Sequence, residues 1–302
     1  EKFGWFLLLI LFCSLQVSGQ LLASPAPDMV VGFLEIAIFA YVLQIILLPK
    51  KTEGNADIAV LVFLLSVQVT TIKLSAAIFA LGSIALALPT LYRSLKIDRA
   101  LVIKTFSFGV LIFTVHIIRG YILSGYPLFP STAFGLTQLD WLASTQDAQN
   151  AAKVIYDYAR NEGLPPGQWQ TGWKWLPYWW NQQIQNHGQW IFSIFALLGA
   201  NLFIIISKNK RYNDLHLTAL YIPLISAVIF WFLTAPAWRF LGVIPYLLIG
   251  ISLWLCLRSL SENYPYIRMF QYPRQNIFIP ILVIGGLISL NPVGLHVNGW
   301  RD

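Results

Sequence analysis

Residues 67–79 read VQVTTIKLSAAIF and place one lysine, Lys73, inside an otherwise apolar run from about Ile58 to Leu91. One helix across that run would be about 50 Å long, against a bilayer hydrocarbon core of about 30 Å. The run therefore has to fold back, and Thr70-Thr71-Ile72-Lys73 holds its only charge. Each arm is then about 22–25 Å long, which is short for a bilayer. Lys73 is expected at, or slightly below, one membrane surface.

Composition agrees with a lipid-facing chain. It is 57% hydrophobic and 11% charged, with a mean hydropathy of +0.64. A soluble domain carries about 25% charged residues. The apolar segments are continuous and do not alternate with period two, which argues against a closed β-barrel. The expected fold is an all-α, polytopic helical membrane protein. Apolar runs lie near 3–18, 29–48, 57–72, 74–91, 103–119, 190–207, 217–235, 239–257 and 276–291. That makes about nine spans of the length a bilayer requires. The run after Lys2 is read as a membrane helix rather than a signal peptide, since the chain starts on acidic Glu1 and no A-x-A site is clear.

Charge orients the spans. Lys2, Lys50, Lys51, Arg93, Lys96, Arg99, Lys104, Lys208, Lys210, Arg211, Arg258, Arg268 and Arg274 all fall on one side, and they are 13 of the 20 basic residues. Basic loops favour the cytoplasm, so residue 1 is expected inside and the C-terminus outside. Lys73 then faces the extracytoplasmic side. The net charge of +7 follows from these inner loops and suits anionic lipid heads; it calls for no nucleic acid. Cys13 and Cys256 lie in membrane runs without an evident partner. The four histidines are scattered, with no HxxxH or HxH spacing, so no metal is expected. No GxGxxG, Walker loop or GxSxG occurs, so no cofactor is expected either.

Three parts follow: spans one to five in 1–119, an extracytoplasmic or interfacial subdomain in 120–189, and spans six to nine in 190–302. The middle part holds Trp141, Trp169, Trp173, Trp175, Trp179 and Trp180, with Trp190 at its border. Ser144 with Asp147 three residues on forms a capping box, and Ala148, Ala151, Ala152, Ile155 and Ala159 recur at helical spacing. Gly163 and Pro165-Pro166 stop that helix. The following WQTGWKWLPYWWNQQ is too aromatic and too short to span, so Trp173, Trp175, Trp179 and Trp180 are expected at the headgroup level or over a membrane cavity. An aromatic belt and a sugar- or lipid-contacting role are both open for them. In RGYILSGYPLFPS, Gly125, Pro127 and Pro130 end the fifth span.

Charges converge on the outer side. Arg239 in TAPAWRF, Arg119 and Lys73 share one depth, Asp28 sits at the entry of the second run, and Glu35 lies on the same face about 10 Å deeper. Glu35 is the only acid well inside any run. Ionisable groups in a span face a cavity or a partner. Interfacial anchoring and an ion-paired core acid are one reading. A pocket whose cations grip a phosphate while an acid acts as base is the other.

TTIKLSA (70–76), RGYILSGYPLFPS (119–131), LDWLASTQDAQNAAKVIYDYAR (139–160), the Trp-rich tail and APAWRFLG (235–242) resemble a family of bacterial polytopic membrane proteins. That family looks like the GT-C class of integral-membrane glycosyltransferases, and the resemblance covers most of the chain from about residue 56 onward. It implies a polyprenyl-phosphate sugar donor, a bacterial inner-membrane location and membrane lipids as surroundings. It also implies a phosphate-binding role for Lys73 and Arg239, assisted by Arg119, and a catalytic Asp or Glu in the first outer loop. Here that loop, SGQLLASPAPD, is short and offers only Asp28, with Glu35 below it. A missing N-terminal part, a non-catalytic Asp28 and an inactive transferase each account for the short loop. The rival expectation is a non-enzymatic membrane subunit or lipid- or glycan-handling module, with a transporter third.

Overall fold

The computed structural model describes residues 27–47, 55–136, 140–207 and 215–263. Among these residues every regular element is a helix. In order they are α1 Asp28–Leu47, α2 Asn55–Ile72, a 3-10 turn Leu74–Ala76, α3 Ala77–Ile97, α4 Arg99–Ser124 and α5 Thr145–Arg160. A second 3-10 turn, Pro166–Gln168, precedes α6 Trp175–Ser207, α7 Leu215–Thr218, α8 Tyr221–Thr234, α9 Trp238–Leu241 and α10 Ile244–Asn263. Among the described residues, three segments are long and apolar enough to cross a membrane: Asp28–Leu47, Leu74–Ile97 and Arg99–Ser124. The face that α4 leaves uncovered carries Phe106, Phe108, Val110, Leu111, Val115, Ile118 and Ile122, an apolar surface that water would penalise and lipid would not.

The fold-back at Lys73 is present. Lys73 takes an extended backbone, φ −144° and ψ 109°, between the last turn of α2 and the 3-10 turn that opens α3. The α2–α3 hairpin packs on α1, and α4 packs on both of its arms. Phe39, Val42 and Leu43 of α1, Val62 and Val69 of α2 and Phe79 of α3 are fully buried. Small residues set the close crossings. A Cβ on Gly82 of α3 would lie 2.8 Å from the Cα of Pro223 in α8, and one on Gly109 of α4 would lie 2.5 Å from the Phe63 ring. Polar contacts join the remaining helices. Asn201 Nδ2 of α6 donates to the Ser252 carbonyl of α10 at 3.0 Å, and the Tyr221 and Ser252 hydroxyls lie 2.8 Å apart.

Three expected spans differ in extent. The run 217–235 is split into α7 and α8, because the ring of Pro223 conflicts with a helical carbonyl at Ala219 and it has no N–H to offer. The run 239–257 is split into α9 and α10 at Gly242, whose φ of 59° and ψ of −128° suit glycine alone. The run 190–207 reaches back to Trp175 without a break. Within this helix no proline follows Pro177, and Gln182 Nε2 bonds Tyr178 Oη at 2.9 Å while Asn186 Nδ2 bonds Gln182 Oε1 at 3.2 Å. The expected spans 3–18 and 276–291 lie outside the described residues.

Helix α5 forms as its punctuation implies. Ser144 Oγ accepts from the Asp147 amide at 3.0 Å, Ala148 and Ala159 are fully buried, and Gly163 takes a φ of 87° after the helix ends. Its last residue ties it to the bundle. Arg160 is 4% exposed, and its guanidinium donates to the Thr234 carbonyl at 2.8 Å and the Leu233 carbonyl at 2.9 Å. These are among the last carbonyls of α8, which have no partner within their own helix. The cation also complements the negative end of the α8 dipole. Arg160→Ala removes these bonds and should cost roughly 2–3 kcal/mol, with Arg160→Lys costing less. Thermal unfolding of the purified protein checks this; an unchanged midpoint for Arg160→Ala would show that α5 is held by other contacts.

Candidate functional site

Asp28 stands in the first turn of α1, and its Oδ1 lies 2.5 Å from Nζ of Lys73. Both side chains are 17% exposed, neither sealed from solvent nor freely solvated. The Lys73 ammonium also faces the ring of Phe240 in α9, 5.5 Å from its centroid. Glu35 lies two turns below Asp28 on α1 and is 5% exposed. Its carboxylate meets the chain at the α9–α10 break: a Cβ on Gly242 would lie 3.5 Å from Oε2. The left-handed backbone of that glycine lets the chain pass close to the acid.

These three ionisable side chains line one cavity of about 560 Å³. That volume lies within the range of small-molecule sites, about 300–1,000 Å³. The rest of the wall is mostly apolar: Val31 and Phe79 on the membrane-helix side, Phe230 and Trp231 from α8, Phe240 and Leu241 from α9. Helix α5 closes one side with Ala152, Ile155 and Tyr156. Charge is thus concentrated on α1 and the Lys73 turn, while the opposite walls offer hydrocarbon and aromatic surface. Such a cavity suits an amphipathic guest with a charged head and an apolar body.

Indole N–H groups hold the α8–α9 connection in place. Trp179 Nε1 donates to the Pro236 carbonyl at 2.6 Å and Trp231 Nε1 to the Ala237 carbonyl at 2.8 Å. His187 stacks on Trp238 at 4.3 Å. Of the four tryptophans expected at the headgroup level or over a membrane cavity, two are buried within the protein. Trp175 and Trp179 are 3% and 6% exposed, because one helical turn sets both against Phe232 of α8, at 6.0 and 5.6 Å between ring centroids. Trp173 and Trp180 are 69% and 46% exposed.

Of the expected basic cluster, only Lys73 reaches the cavity. Arg239 is exposed and lies over Tyr158 at 5.1 Å and over the site's own Phe240 at 4.7 Å. Its charge opposes the burial that pushes the Glu162 carboxyl above the usual range. Arg119 is exposed on α4 and takes no part in the cavity wall. Three contributors escaped the sequence reading. Arg160 secures the helix that closes the cavity, Phe240 faces Lys73, and Gly242 turns the chain beside Glu35. Gly242 alone had a legible signal, a glycine interrupting the apolar run FLGVIP.

A family model described as "Domain of unknown function (DUF8201)" matches residues 1–246. The chain belongs to this family. Asp28, Glu35, Lys73, Phe240 and Gly242 all fall within the matched residues of the DUF8201 domain. No curated protein and no solved structure matches the chain.

The burial of the tryptophans has a direct readout. With single tryptophans reported by site-specific fluorescent analogues, Trp175 and Trp179 should resist both an aqueous quencher and a lipid-borne one. Trp173 and Trp180 should respond to at least one. Strong aqueous quenching at Trp179 would contradict its packing under the α8–α9 connection.

Proposed function

We propose that this chain binds a polyprenyl-phosphate-linked sugar at the outer membrane boundary and acts as a GT-C-like glycosyltransferase of the bacterial inner membrane. One observation carries the reading: Asp28, Glu35 and Lys73 converge in a single, otherwise apolar cavity. A phosphate head would meet the Lys73 ammonium, and the first isoprene units would lie on the apolar walls. In transfer, the acceptor hydroxyl gives its proton to a carboxylate of Asp28 or Glu35, and its oxygen bonds the anomeric carbon. The bond from that carbon to the phosphate oxygen breaks, and its electron pair leaves with the polyprenyl phosphate. Lys73 stabilises that leaving charge. Arg239 flanks the site through Phe240 and contributes field rather than contact. Arg119 does not line the cavity, so in this reading it assists through field rather than as a direct ligand.

The nine-span topology belongs to this reading. The Lys73 turn, the exit of α4, helix α5, the end of α8 and the start of α1 are the outward ends, and the basic loops are cytoplasmic. Helix α6, about 50 Å long at about 1.5 Å per residue, would reach from the membrane into the outer subdomain. Cysteines replacing Gln168 and Lys96, both exposed, test the orientation in a background without Cys13 and Cys256. An impermeant thiol reagent on intact cells should label the first and spare the second; the reverse would overturn the topology.

A second reading, a non-enzymatic lipid- or glycan-handling module, is favoured by the Asp28–Lys73 contact, which already satisfies the lysine. Binding and turnover separate the two. Lys73→Gln should weaken binding of a polyprenyl-phosphate sugar by about 10- to 150-fold, the worth of one charge-assisted contact, and Lys73→Arg should retain part of it. Glu35→Gln should keep binding and reduce transfer. Equal affinities for wild type and Lys73→Gln, at equal thermal stability, would sink the phosphate role. Binding without any turnover would leave the module reading.

A further inference from the structure

We propose that Asp28 is a built-in competitor for Lys73, so that an anionic headgroup enters the site by displacing the Asp28 carboxylate from the ammonium. This rests on the phosphate-binding role given to Lys73 above, and goes beyond it by assigning Asp28 a part in selection.

The geometry supports an exchangeable pair rather than a sealed one. Asp28 and Lys73 both line the cavity, and both keep 17% of their side-chain surface. Among the described residues, Asp28 is the one acidic group within ion-pair distance of Lys73. The ammonium would not be left adrift by the exchange. The ring of Phe240, 5.5 Å away, faces it independently of Asp28. The carboxylate would not be stranded either. It stands in the first turn of α1, where the positive end of the helix dipole favours a negative charge whether or not Lys73 is its partner. Glu35 cannot fill this role: it is a buried group held against the Gly242 backbone, with no ion pair to Lys73.

The exchange would give the site a threshold. A guest with a neutral head gains nothing at Lys73 and leaves the pair intact. A guest with a phosphate brings a charge that outcompetes a single carboxylate, because it presents more acceptor oxygens to the same donor. The displaced carboxylate then lies beside the headgroup, where a proton acceptor is needed if transfer follows. At 17% exposure the pair is mostly shielded, so removing one partner costs stability, and binding is compared on purified protein shown to be folded.

The test compares wild type, Asp28→Asn and Lys73→Gln as full chains in lipid nanodiscs. The probes are a short polyprenyl phosphate, the uncharged polyprenol of equal length, and inorganic phosphate. Asp28→Asn should bind the polyprenyl phosphate about tenfold more tightly than wild type and the polyprenol equally well. Inorganic phosphate should bind more weakly throughout but show the same preference for Asp28→Asn. Lys73→Gln should lose binding of both phosphates. Should Asp28→Asn give too little folded protein, Asp28→Ser carries the same expectation. Equal or weaker binding of the polyprenyl phosphate by the Asp28 variants, with Lys73→Gln still impaired, would overturn the competition and leave the phosphate role of Lys73 standing. A tighter grip on the polyprenol would overturn it too, since an uncharged head does not compete for an ammonium. Equal binding by Lys73→Gln and wild type would remove the phosphate role itself.

Discussion

A charge in an apolar run cannot stay in the middle of a bilayer, and the consequences of that constraint at Lys73 organise the site. The chain turns there, so α2 and α3 become a hairpin instead of one overlong helix. The same turn lifts the ammonium to the end of the bundle, where Asp28 at the start of α1 meets it at 2.5 Å. One ion pair thus ties the first helix to the hairpin and defines which end of the bundle carries polar chemistry. The cavity lies at that end because its polar wall is there.

The remaining walls depend on two further solutions to unmet backbone groups. Helix α8 ends at the cavity with carbonyls that its own turns cannot satisfy, and Arg160 from α5 satisfies them. That capping contact holds α5, whose inward face is largely alanine and would bind weakly by area alone. The α8–α9 connection presents carbonyls at Pro236 and Ala237, and two indoles take them. The tryptophan density of this region is therefore in good part a device for satisfying a buried loop. Trp141, Trp173 and Trp180, turned outward, keep the amphipathic exposure typical of an interface.

Gly242 shows how a break in an apolar run can serve a charged neighbour. A side chain at that position would strain the backbone, and its Cβ would come into ordinary contact with the Glu35 carboxyl. The break that shortens the expected eighth span is the same feature that lets an acid sit deep in the wall. Glu35, Gly242 and the restart of the chain into α10 form one local arrangement.

Much of this was written in the linear chain. Apolar run lengths, set against the thickness of a bilayer, determined an all-helical chain with segments long and apolar enough to cross one, and the turn at Lys73. Ser144, Asp147, Gly163 and Pro165-Pro166 determined the bounds of α5, because capping and helix arrest are local events between near neighbours. The residue types of the cavity's polar wall were also legible, since a charge in an apolar span stands out by composition alone. Tertiary structure decided the rest. That Asp28, and not Glu35, takes Lys73 depends on how α1 docks beside the hairpin. That Arg119 and Arg239 stay out of the cavity depends on helix rotation, which an all-round apolar helix such as α4 does not encode in its own pattern. Arg160 looked like an ordinary basic residue ending an outer helix. Its partners are more than seventy positions away, and only packing brings a long-range donor to a carbonyl.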